Sequence, residues 1–215
     1  MQAYLKTAMP MHGLQKPDRA TVERGLYTYL EEEGVEVTPD LYRSCIKKFW
    51  DLSHREEKYL AIDFALKYKQ HIVWDNLDVY EDILRQSHDI MWWDFVDPIA
   101  VNLVGRIALL DPVKMQPVLR SWVDDEDHMW IRRSAILAQL KHKSQTNSNM
   151  LFEFCRKRMH EKEFFIRKAI GWALREYGKT NPDLVIDFLT TEKANLSGLS
   201  YKEGSRILVK NGLMD

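Results

Sequence analysis

The segment Met91-Trp92-Trp93-Asp94-Phe95-Val96-Asp97-Pro98 places two indoles beside two carboxylates with little apolar cover between them. An indole face stacks on a sugar or a base and attracts a cation, and a neighbouring carboxylate supplies negative charge. If the segment is helical, Trp93 and Asp97 lie one turn apart on one face. The pair then suits a cationic, sugar-like or base-like ligand. The plainer reading makes Trp93 a core aromatic and Asp97 a solvated or capping acid. Pro98 bears on the choice, because a proline disfavours the helical conformation in the residue before it.

Other chemistries leave no such trace. The seven histidines are scattered without a His-Glu-x-x-His spacing, so metal is not indicated. The sequence contains no Gly-Lys-Ser/Thr phosphate loop, dinucleotide fingerprint or Gly-x-Ser-x-Gly elbow. The acidic run Asp124-Asp125-Glu126-Asp127 lacks the glycine and ligand spacing of a calcium loop and reads as a solvated turn between helices. Cys45 and Cys155 stand far apart without metal-ligand spacing and read as buried or incidental thiols, which suits a reducing, cytoplasmic setting. The N-terminus has no long apolar core, and the most apolar later run is broken by Asn102 and Arg106, so neither a signal peptide nor a membrane span is expected.

The elements that must position the double-Trp segment read as helices throughout. Apolar residues recur at three and four spacing, and period-two alternation bounded by hairpin turns is absent. Helices are expected over 4–8, 16–34, from Thr38-Pro39-Asp40 onward, and from a Ser53-His54-Arg55-Glu56 capping box. Further helices are expected over 78–86, 93–110, 112–122, 129–142, 149–160, 163–179, 182–190 and 201–211. Parts of the pattern repeat. Ala61-Ile62-Asp63-Phe64-Ala65-Leu66-Lys67 matches Ala169-Ile170-Gly171-Trp172-Ala173-Leu174-Arg175, and Trp130-Ile131-Arg132-Arg133-Ser134-Ala135 matches Phe165-Ile166-Arg167-Lys168-Ala169-Ile170. Short helix pairs repeating at about 36 residues resemble HEAT-like repeats. The expectation is a single all-α array over residues 1–215, curved into a superhelix with a concave face; an irregular helical bundle is the alternative.

With 31 basic and 32 acidic residues the chain is close to neutral, so a polyanion must be met by local clusters. Lys67, Arg132, Arg133, Lys141, Arg167, Lys168 and Arg175 recur at related places in the repeats and could line such a surface. Taken singly, each is better explained as the solvated side of an amphipathic helix.

Several motifs, in order along nearly the whole chain, resemble the AlkD-like DNA glycosylases of alkylation repair. They are Tyr4-Leu5-Lys6, His12-Gly13-Leu14-Gln15-Lys16-Pro17-Asp18-Arg19, Leu52-Ser53-His54-Arg55-Glu56, Trp92-Trp93-Asp94-Phe95-Val96-Asp97, Trp130-Ile131-Arg132-Arg133-Ser134-Ala135-Ile136-Leu137, and the long run from Phe164 through Ile170-Gly171-Trp172-Ala173-Leu174-Arg175 to Pro182. The resemblance implies a HEAT-like fold whose concave face binds double-stranded DNA, and removal of cationic alkylated purines such as N3-methyladenine and N7-methylguanine by a monomer without metal or cofactor. It implies that Trp93, Asp97 and Trp172 flank the damaged nucleotide, and that Tyr4, Gln15, Arg133, Lys141 and Arg175 contact DNA. A catalytically silent DNA-binding or scaffolding relative is the alternative it leaves open, although such a relative has no need of all three of Trp93, Asp97 and Trp172.

Overall fold

The computed structural model describes residues 7–87 and 89–215, and among them all regular structure is helical. Contacts divide the chain into two compact units, Met1–Pro98 and Ile99–Asp215.

The first unit holds α1 (Lys16–Glu32), α2 (Pro39–Asp51), α3 (Arg55–Lys67), α4 (Leu77–Leu84) and α5 (Trp93–Pro98). α2 starts where Thr38 Oγ1 accepts the Leu41 N–H at 3.3 Å and Pro39 supplies a preset first residue. Its buried residues Tyr42, Ile46 and Trp50 recur every fourth position on a helix that packs against α3, where Tyr42 meets the Phe64 ring and the Ala65 carbonyl. Tyr42 also meets Tyr80 of α4, hydroxyl to hydroxyl at 2.7 Å inside the core. The far end of α2 is closed by the buried Lys58 ammonium, which donates to the carbonyls of Trp50 and Leu52. α1 buries none of its residues and rests on α3, with the Arg19 guanidinium 4.2 Å from the Tyr59 ring.

The start of α3 departs from expectation by one residue. His54, not Ser53, precedes the helix, and the Glu57 carboxylate accepts the His54 N–H at 2.7 Å. Glu56 is drawn elsewhere, accepting the N–H groups of His12, Gly13 and Leu14 at 3.1, 2.8 and 3.1 Å. These bonds hold the loop before α1; burial alone would raise the Glu56 carboxyl, but backbone N–H groups, its own and those of His12, Gly13 and Leu14, bring it below its ordinary range. Of the short helix expected over 4–8, residues 4–6 lie outside the described residues, and Thr7 and Ala8 are not helical.

The second unit opens with a π-helical turn, Ile99–Val104, and continues through α6 (Gly105–Leu110), α7 (Pro112–Val123), α8 (Met129–Leu137), α9 (Ser148–Arg158), α10 (Phe164–Tyr177), α11 (Pro182–Thr191) and α12 (Gly198–Lys210). The helix expected over 93–110 is helical throughout, with its middle stretch, Ile99–Val104, in the wider π register. α8 stops at Leu137, short of the expected 142, and turns lead to a 3₁₀ turn at Lys143–Gln145.

α8, α10 and α12 pack side by side, while α7, α9 and α11 lie against them from behind. The matching aromatic starts Trp130 and Phe165 stand at equivalent places in α8 and α10, their rings 5.0 Å apart. Behind them, Arg120 of α7 reaches Glu153 of α9 at 3.2 Å, and Arg156 of α9 reaches Glu192, which caps the end of α11, at 2.7 Å. α10 and α12 pack closely at Gly171, which leaves no room for a side chain. A Cβ there would come within 2.5 Å of Glu203 Cβ and 3.0 Å of the Ser200 carbonyl oxygen. Gly171→Ala is expected to cost about 1–3 kcal/mol by forcing these helices apart, read as a lower thermal melting temperature with helical content retained.

Candidate active site

α5 is short, and its placement depends on a buried charge. The Trp92 carbonyl accepts the N–H groups of Phe95 and Val96 at 3.0 and 3.1 Å, which opens the helix, and Asp94 sits in the first turn where negative charge suits the helix dipole. Arg55, 1% exposed at the start of α3, donates from Nη2 to Asp94 Oδ1 at 2.6 Å. The Tyr59 hydroxyl donates to the other Asp94 oxygen and accepts from Arg55 Nε at 3.2 Å. Burial, then the bond to Asp94, pushes the Tyr59 phenol up to about 12, so it stays a proton donor to that carboxylate at neutral pH. The Arg55 guanidinium also lies 4.1 Å from the Phe95 ring, which Tyr59 and Trp50 flank at 4.9 and 5.5 Å.

With Phe95 and Val96 wholly buried, the face of α5 carrying Trp93 and Asp97 is half-buried and reachable. Both residues are inside one α-helical segment, so the one-turn spacing holds despite Pro98. Proline cannot donate to the carbonyl four residues back and crowds it. The hydrogen bonds reset directly afterwards, at the π-helical turn.

Trp172 is half-buried on α10 in the second unit, next to Gly171 and one turn before Glu176. Arg175, on the same helix, pairs with Glu203 of α12, which also accepts from Lys168 Nζ at 2.9 Å. The two cations bring the Glu203 carboxyl below its ordinary range, Lys168 contributing most. Lys141 is exposed and donates to Asn102 Oδ1 at 2.7 Å, beside a pocket of about 330 Å³ that Lys143 and Lys179 also line. Gln15 is exposed at the start of α1, its N–H bonded to Asp18 at 3.1 Å. Tyr4 lies outside the described residues.

Arg133 is placed differently from what a solvent-facing DNA contact requires. It is 4% exposed, and its Nη1 donates to the Phe165 carbonyl. Every residue of α8 is buried, so the basic pair that reads as a charged surface in sequence is built into helix packing. Arg132 likewise donates to the carbonyls of Asp125 and Glu126 at 2.8 and 3.1 Å and pairs with Glu161. The acidic run is correspondingly engaged, with Glu126 on Arg158 at 2.9 Å and Asp124 on Lys157 at 2.5 Å. Cys155 is buried and its thiol is pushed up to about 12 by that burial; Cys45 is partly accessible.

Two clusters in the first unit escape sequence inspection because their members are distant along the chain. Glu23 of α1 meets Asp63 of α3, and burial together with that neighbouring carboxylate raises the Glu23 carboxyl to about 7. His12, His54 and Glu57 bring their ligand atoms within 4.8 Å of one another.

A sequence model of the DNA alkylation repair enzyme family matches residues 1–208. The chain belongs to that family. It is similar to a solved structure described as a predicted DNA alkylation repair enzyme from Enterococcus faecalis, with 30% sequence identity over 98% of this chain and 93% of that chain and a TM-score of 0.84. No curated protein matches it. Membership makes DNA the substrate class, and no helix among the described residues is long and apolar enough to cross a membrane.

Two outcomes are expected from the first unit. Arg55→Met leaves the Asp94 carboxylate without its cation, and breaking a buried pair of this kind should cost about 3 kcal/mol, seen as a shift in the denaturation midpoint. The raised Glu23 carboxyl binds a proton more tightly folded than unfolded. Its contribution to stability is present below the ordinary carboxylate value and is lost as pH rises through about 7. Melting temperature should therefore decline across that interval, and Glu23→Gln should flatten the decline.

Proposed function

We propose that the protein is a monofunctional DNA glycosylase that hydrolyses the N-glycosidic bond of cationic alkylated purines, N3-methyladenine and N7-methylguanine, in duplex DNA. Membership in the alkylation repair family supports the substrate, and the observation that carries the chemistry is Trp93 and Asp97 on one helical face whose backbone is braced by Arg55, Asp94 and Tyr59. The same reading takes residues 1–215 as one HEAT-like array with duplex DNA on its concave face. The paired helices of the second unit support that reading.

An alkylated purine already carries positive charge. As its bond to C1′ breaks, the bonding electrons neutralise the base and positive charge develops on the deoxyribose. No proton need be delivered to the leaving group. Asp97 then has two roles: its carboxylate opposes the charge on the sugar, and it orients the water that adds to C1′, with the water's proton passing to the carboxylate or to solvent. Trp93 and Trp172 hold the sugar and the lesion through ring contacts. The products are a neutral alkylpurine and an abasic site. Lys141, Arg175 and Gln15 are the accessible candidates for DNA contact, while Arg133 serves by supporting α10.

Asp97→Asn preserves shape but removes the charge, so single-turnover release of N7-methylguanine should fall by roughly 10² or more while duplex binding and the thermal melt persist. Equal release by the two proteins would remove Asp97 from the mechanism.

A further inference from the structure

We propose that His12, His54 and Glu57 form a binding site for a divalent transition-metal ion of the zinc class, which fastens the loop before α1 to the start of α3. His12 Nε2 lies 3.1 Å from Glu57 Oε1, and His54 Nδ1 lies 3.8 Å from the same oxygen. A tetrahedral ion with bonds of about 2.0–2.1 Å sets its ligand atoms roughly 3.3 Å apart, so the three donors already stand near that spacing. The carboxylate is held in place from behind, because its other oxygen accepts the His54 N–H at 2.7 Å. Support of this kind from outside the ligand set is what orients metal ligands elsewhere.

The two imidazoles now stack face to face, their centroids 3.8 Å apart and their planes 13° from parallel. An ion shared by two rings lies close to the plane of each, so binding must tilt them apart. It also displaces the Ser53 hydroxyl from His54 Nδ1, where it sits at 3.0 Å, if that nitrogen is the ligand. Both rings are free to make this movement, with side chains 44% and 32% exposed. Two imidazoles and one carboxylate suit zinc, nickel or copper and discriminate against magnesium and calcium, which prefer an all-oxygen shell.

Three protein ligands leave a coordination position open, and His12 and Glu57 both line a largely apolar pocket of about 490 Å³ with Leu14, Val22, Phe49 and Leu60. The loop is already tied to α3 by the Arg55 N–H on the Pro10 carbonyl and by the bonds to Glu56. The ion adds a cross-link between segments that are 42 residues apart along the chain at His12 and His54. Its effect falls on the segment leading to Gln15, independently of the glycosylase reading.

The test uses full-length protein stripped of metal and titrated with Zn²⁺ by calorimetry, with Co²⁺ absorption as a report on geometry. Expected are one ion per chain at a Kd of about 10 μM or tighter, a melting temperature that rises with Zn²⁺, an intense tetrahedral Co²⁺ spectrum, and no competition from excess Mg²⁺. His12→Ala and His54→Ala should each weaken binding at least roughly tenfold, whereas His160→Ala, an exposed histidine outside the cluster, should leave it unchanged. His12 lies in a loop, so its variant keeps the test decisive if His54→Ala fails to fold. No saturable binding below about 100 μM, or binding that survives His12→Ala, would overturn the site.

Discussion

A guanidinium withdrawn from water is stable only while its charge and its donors are answered from within the protein. Arg55 answers its charge with Asp94 and uses Nη2 and Nε on Asp94 and Tyr59, with the guanidinium set against the Phe95 ring, and this places the first turn of α5 relative to α3. A first turn of helix has almost no stability of its own. The half-buried face carrying Trp93 and Asp97 therefore takes its position from α3, and α3 in turn takes the loop before α1 through its Glu56 and Glu57 carboxylates. One short stretch, from His54 to Tyr59, thus organises the site helix on one side and the N-terminal loop on the other.

The second unit is organised by repetition. α8, α10 and α12 approach closely enough that Gly171 has no room for a methyl group, and the helices behind them are bridged by Arg120–Glu153 and Arg156–Glu192. Those bridges are partly exposed and contribute little energy singly. What they share is their position between successive outer helices. The turn between α7 and α8 is held by a different device, the buried Arg132 and Arg158, which take up backbone carbonyls and acidic side chains of 123–127.

Much of this was legible in the residues and some of it was not. Helix starts such as Thr38-Pro39 are local signals, and the double-Trp segment proved helical across Trp93 and Asp97. The cap of α3 was misplaced by one residue because Ser53/Glu56 and His54/Glu57 both fit the spacing, and only the loop's demand for Glu56 decides between them. A π-helical turn over six residues leaves no readable period. Arg132 and Arg133 look solvent-facing because a helical pattern counts arginine as polar. In the fold their stems pack in the interior and their guanidinium groups satisfy carbonyls. The approach of His12 to His54 depends on the loop's path, which no local pattern encodes.

In the second unit each helix from α7 to α12 touches chiefly the helices one or two places away in the chain. Contacts so close in sequence require only short chain closures, which favours rapid formation from whichever neighbouring pair meets first. Among the described residues α12 packs chiefly on α10 and α11 and buries only Ser200, Gly204, Ser205 and Leu208. Most of its backbone therefore lies nearer to water than that of α8, whose residues are buried throughout, so that amides of α12 exchange with solvent sooner.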